Sequence, residues 1–314
     1  MVRGSTFLAV VLLQVAGCSR LQPAPVQDNL VAAPPLAAPT ELFDPASRSE
    51  LPAAFVPTDY GWAGQPGALA AVDTLAARVP PLSGFRQRPI QPGTFEAFLL
   101  GLPLAAKDTP VRSFRGDVIV AADDPRIAAV ATLDVGTRDL QQCADAVLRL
   151  HAEYKFSRHD AAALSYRAAS RFEMPFSRWA GGERLVARGN DLTWVPGRGV
   201  TGAAHANLRS WLDTVFAYAN TVSIQRDAAP VARADVRAGD FFVQGGWPGH
   251  AVLVLAVAEN DAGQRRALLG QSYMPAQSFH VLSTPAGPWF SLDGETIDTP
   301  FWQPFGWGDL RRLP

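Results

Sequence analysis

Apolar residues recur along this chain at distinct spacings. Leu140, Cys143, Val147, Leu150 and Tyr154 alternate steps of three and four, which is the period of one helical face. Leu208, Trp211, Leu212, Val215, Phe216 and Ala219 predict a second helix over 205–219. The stretch after His250, Ala251 to Leu255, is apolar at every position, as a strand covered on both faces should be. Shorter runs at 117–121, 127–134, 164–168, 183–188, 191–195, 221–225, 266–271 and 277–282 read as strands, with Gly189-Asn190 as a two-residue hairpin turn. Residues 92–104 predict a short helix capped by Thr94. Asp139, followed three residues later by Gln142, is the predicted cap of the first long helix and places Cys143 in its opening turn. The expected fold class is α+β: a mostly antiparallel sheet packed against a Cys-bearing helix, in a single globular domain over 60–314.

The N-terminus breaks from this pattern. Arg3, a short apolar run over 7–13 and then Val15-Ala16-Gly17-Cys18 form a segment too short to span a bilayer but suited to export. Small residues directly before a cysteine resemble the bacterial lipoprotein signal. That resemblance implies a signal peptide at 1–17, lipidation of Cys18 and attachment to the membrane through the lipid. Ser19 in the next position implies the periplasmic face of the outer membrane in a Gram-negative host. Residues 18–59 are rich in Pro and Ala without a period and read as a tether.

Composition narrows the partners. The chain has 314 residues, 48% of them hydrophobic, enough for a substantial core. Its net charge is −1 with both signs interspersed, so no nucleic-acid partner is expected. No Gly-rich phosphate loop opens a helix and no histidines stand at metal-ligand spacing, so no cofactor or metal is expected. Cysteine occurs twice. With Cys18 lipidated, Cys143 has no disulfide partner and is a free thiol in an exported protein.

Three features suggest chemistry. Cys143 lies where helix-end amides favour a thiolate. His250 follows the Gly245-Gly246-Trp247-Pro248-Gly249 loop at the mouth of a core strand. A tight turn around 259–264 sets His250 opposite Gln271 or Ser272, where a side-chain amide fixes one imidazole nitrogen and leaves the other for the thiol. Gln142 is either a capping residue or an oxyanion donor; Trp247, Ser272 and Tyr273 are candidate cleft residues. The order of helix-borne Cys, Gly239-Asp240-Phe241-Phe242, His250-Ala251-Val252-Leu253 and a polar strand resembles the papain-like superfamily, in particular its NlpC/P60 and CHAP cell-wall hydrolases. That resemblance implies Cys143 as nucleophile, His250 as base, Gln271 as orienting group and peptidoglycan peptides as substrate. Gln142-Cys143-Ala144-Asp145 departs from the usual Asp-Cys-Ser/Gly, and Gln is an unusual third residue. A tighter resemblance, carried by 134–146, 246–251 and 271–277, is to the bacterial domain of unknown function 4846, which implies no activity. Two readings stay open: a lipid-anchored cysteine hydrolase or acyl-transfer enzyme of the cell envelope, and a non-catalytic envelope-binding lipoprotein with an inert Cys/His cleft.

Overall fold

The computed structural model describes residues 59–189 and 191–314. The expected signal peptide, Cys18 and the tether up to residue 58 lie outside the described residues, as does Asn190 of the expected hairpin turn. The described residues are organised by nine strands in one sheet. In chain order these are β1 (Phe85–Arg86), β2 (Ile127–Val130), β3 (Ala229–Pro230), β4 (Phe241–Gln244), β5 (His250–Asn260), β6 (Arg265–Gln271), β7 (His280–Leu282), β8 (Trp289–Ser291) and β9 (Leu310–Arg312). They pair in the order β3-β9-β4-β5-β6-β7-β2, with β1 on β5 and β8 on β6, and every pairing is antiparallel. With the helices, this is the α+β class that the pattern predicts.

The apolar run of β5 has a simple cause: both faces are covered. Ala251, Leu253 and Leu255 belong to the larger core cluster, together with Ala144, Val147 and Leu150 of the helix α2 (Cys143–Ser157). Val252 and Val254 face the other way, into a second cluster with Phe290 and Phe305 from the C-terminal segment. Each such aliphatic side chain taken fully out of water contributes roughly 1.5–3 kcal/mol. The last strand is fastened to the rest by an ion pair: half-buried Arg312 reaches both carboxylate oxygens of buried Asp240, at 2.6 and 2.9 Å. Asp240 thus does more than shape the turn before β4.

The helix α1 (Phe95–Leu100) is capped by Thr94, whose hydroxyl accepts from Ala97 N–H at 3.2 Å. The helix α3 (His205–Tyr218) buries Leu208, Trp211, Leu212, Val215 and Phe216, the face its spacing predicts. One expected strand is a helix. Residues 221–225 fall in α4 (Thr221–Asp227), because Asn220 and Ser223 cap its start reciprocally: Asn220 Oδ1 accepts from Ser223 N–H at 3.0 Å, and Ser223 Oγ accepts from Asn220 N–H at 2.9 Å. The cap outweighs the β preference of Thr221, Val222 and Ile224.

Candidate functional site

Cys143 is the first residue of α2, and the cap differs from the prediction. The N-cap is Gln142, and the acid three residues on is Asp145, whose Oδ2 accepts from the Gln142 N–H at 3.1 Å. Asp139 is drawn away from capping: its Oδ1 accepts from Ala276 N–H at 2.7 Å and from Gln142 Nε2 at 3.0 Å. Residues 138–142 therefore form tight turns, and the helix begins only at Cys143. A buried network fixes those turns. Arg149 donates to Glu153 at 2.7 Å, to Gln141 at 2.9 Å and to Asp134 at 2.8 Å, and Gln141 Nε2 donates to the Asp134 carbonyl at 3.0 Å.

The thiol is not the thiolate that its helical position suggests. Cys143 is 4% exposed. Burial first, and Asp145 second, push its pKa up to about 11, against the backbone amides of Ala251, Ala144 and Cys143 itself. Desolvation outweighs the helix end here.

The second group assembles as the spacing anticipates, through a slightly different register. β5 pairs Leu253 with Gly270, so one further step sets Gln271 beside Val252, two positions from His250 and on the same face. The side chains close the diagonal. Gln271 Oε1 stands 2.7 Å from His250 Nε2, Gln271 Nε2 stands 3.4 Å from His280 Nε2, and His280 Nδ1 stands 2.9 Å from the Ser278 carbonyl. Only one proton arrangement satisfies this row. The carbonyl takes an N–H from His280 Nδ1, His280 Nε2 then accepts from the Gln271 amide, and Gln271 Oε1 accepts from His250 Nε2–H. His250 Nδ1 is left as a bare acceptor, buried and without a partner. Burial, as the first cause, holds His250 down to about 4. Tyr273, Trp302 and Phe305 enclose the ring, with centroids 4.8, 5.0 and 6.2 Å away.

Cys143 and His250 lie on different sides of the sheet. The helix packs on one face of the sheet, while the imidazole lies with Trp302 and Phe305 on the other. The Ala251 amide, next to His250 in the chain, acts to lower the pKa of the sulfur. No hydrogen bond among the described residues joins the sulfur to Nδ1. Ser272 is a strut: its hydroxyl donates to the Gln277 carbonyl at 2.7 Å and lies 3.2 Å from that of Gln141. Tyr273 donates to the Phe301 carbonyl at 3.1 Å.

A cleft of about 450 Å³ opens over the helix start. Cys143, Gln142, Asp145, Phe216, Trp247 and Met274 are among its lining residues. Trp247 is 98% exposed on its rim, where cleft lining replaces the packing role usual for Trp. The loop can pass because Gly249 has no side chain: a Cβ there would run into Thr221 Oγ1 and the carbonyl oxygens of Gly246 and Gln244.

Residues 75–312 match the family described as a domain of unknown function (4846). The chain belongs to that family. No curated protein and no solved structure matches it. Membership in the domain of unknown function 4846 thus covers every element of the site described above and assigns none of them a role. Sequence reasoning misses three of those elements. His280 looks like an isolated histidine, Trp302 lies in a segment without periodicity, and Asp145 is hidden between two alanines. The signal for Asp145 is its place, an acid two residues past the cysteine on a helix that is otherwise apolar there.

Proposed function

We propose that this protein is a cysteine hydrolase or acyl-transfer enzyme with a papain-like, NlpC/P60-like core, acting on amide bonds of the cell envelope. The observation that supports it most is the state of His250: Nε2 is anchored by Gln271, and Nδ1 is a buried acceptor without a partner among the described residues, on the residue next to Ala251, whose amide bears on the Cys143 sulfur. An imidazole held in one tautomer with its lone pair free is equipped as a general base. With the thiol near 11 and the imidazole near 4, the resting pair is neutral. Attack on a carbonyl therefore couples to transfer of the thiol proton to Nδ1, and does not start from a preformed ion pair. Gln271 orients the base. Lipidation of Cys18 and the tether would hold the domain at the membrane, with peptidoglycan peptides as the substrate class. The test is release of new amino groups from purified peptidoglycan and from synthetic peptide amides. Cys143→Ala and His250→Ala should each abolish it, and full turnover by Cys143→Ala ends this reading.

One observation favours a second reading. The buried, high-pKa thiol without a hydrogen bond to the imidazole fits a binding lipoprotein whose cysteine is inert. Specific retention of peptidoglycan fragments by wild type and Cys143→Ala alike, with no turnover by either, is its signature.

A further inference from the structure

The cleft over the start of α2 holds a polar atom that the fold leaves unused. Asp145 lines the cleft and is 7% exposed. Its Oδ2 takes the Gln142 N–H, while Oδ1 is buried and has no partner among the described residues. A buried carboxyl oxygen without a donor, on a residue that lines a ligand-sized cleft, calls for a donor from the ligand.

The surroundings select which donor. The lining of the cleft contains no Lys, Arg or His, and its other acid, Asp139, already accepts from Ala276 N–H and Gln142 Nε2. The wall beside it is apolar and aromatic, with Leu140, Phe216, Met274 and Trp247. An anionic ligand group would meet acids and no counter-charge. The first-turn amides favour an ionised carboxylate at this helical position but burial outweighs them, so what the ionised form lacks is a cation. A ligand ammonium would supply the counter-charge and the missing N–H together. It would also cancel the charge that sets Asp145 against a thiolate at Cys143, two residues away in the same turn.

We propose that this cleft takes ligands bearing a free primary ammonium close to the amide carbonyl offered to Cys143, and that Asp145 binds the ammonium. The position of the carbonyl rests on the hydrolase reading; the binding of the ammonium does not. Binding breaks no bond between heavy atoms: R–NH3+ donates to the Asp145 carboxylate, and a proton that the carboxyl carries in the free protein passes to solvent.

The test uses full-length protein and calorimetry at neutral pH, with alanyl-alanine amide and its N-acetyl derivative as probes. The free amine should bind about tenfold or more tighter than the acetylated compound. Asp145→Asn keeps an oxygen for the Gln142 amide and should lose the preference. Asp139→Asn should keep it. Equal binding of the two probes, absence of heat from either at millimolar concentration, or equal losses in Asp139→Asn would each overturn the proposal. Cys143→Ala separates the two ideas. If it retains the ammonium preference while wild type hydrolyses nothing, the binding proposal stands and the hydrolase reading fails. Hydrolysis of free and acetylated peptides at equal rates gives the opposite outcome.

Discussion

Gln271 stands between two histidines, its carbonyl oxygen 2.7 Å from His250 Nε2 and its amide nitrogen 3.4 Å from His280 Nε2. The amide can satisfy both only one way round, so His280 sets the tautomer of His250 without touching it. Substituting His280→Leu leaves the Gln271 amide unpaired in a buried site, at a cost of about 1–3 kcal/mol. The amide is then free to turn over and present N–H to His250. We expect a lower midpoint in urea unfolding and a fall in turnover exceeding the loss of folded protein. His280→Asn, which can still accept from the amide, should recover part of both.

The thiol offers a direct chemical readout. With its pKa moved from 9.0 to about 11, the thiolate fraction of Cys143 at neutral pH is roughly a hundredfold below that of an exposed cysteine. Alkylation by iodoacetamide in the folded protein should be slower than in urea by at least that factor, monitored by mass spectrometry of the Cys143 peptide. Rapid labelling of the folded state would contradict the burial described here.

Acid should weaken the fold in a defined window. His151, His250 and His280 are each lowered from 6.5 to about 4, in every case first by burial. The unfolded chain binds protons at these sites before the folded chain does, so stability is complete above pH 6.5 and is lost as pH falls towards 4. Each histidine contributes roughly 3 kcal/mol to that loss. Unfolding free energies measured across the window should fall steeply, and His151→Phe should flatten the slope by about one proton's worth.

Asp145 has the opposite sign. Burial raises its pKa well above 3.8, so the folded state keeps a proton that the unfolded state releases. Its contribution is favourable below the unfolded value and is lost as pH rises through the folded one. Asp145→Asn should therefore raise the melting temperature at neutral pH and change it little below pH 4. A residue whose removal strengthens the fold is more easily understood as serving a ligand.

Arg149 is the reverse case, a buried charge that cannot be spared. It is fully buried and joins Glu153, Gln141 and Asp134. Arg149→Met strands Glu153 in the interior with only His205 for a partner and should cost about 3–5 kcal/mol in urea unfolding. It also frees the 138–142 turns, so the Cys143 position should loosen, detectable as faster alkylation.

What the sequence made legible follows the range of each interaction. Helical faces, the Thr94 cap and the continuous run of β5 depend on neighbours a few residues apart, and they read directly from spacing. The His250–Gln271 contact was legible because a tight hairpin converts chain distance into spatial distance; a register two residues off still left both side chains on one face. The start of α2 was misread because Asp139 is claimed by Ala276, a partner 137 positions away. The thiolate expectation failed for a similar reason: local amides favour the charge, but burial is set by the whole fold. Asn220, a cap with no apolar period after it, gave no warning that 221–225 would be helical.

The enclosure of His250 by Trp302 and Phe305 has a consequence for timing. Ribosomes deliver the imidazole well before the residues that box it in, and β9 arrives later still. A nascent chain halted short of Trp302 exposes that ring to water, where it titrates as an ordinary histidine and the sheet lacks its neighbouring edge. The enclosed imidazole is therefore a property of a chain that reaches at least Phe305, and it does not exist before that segment is made.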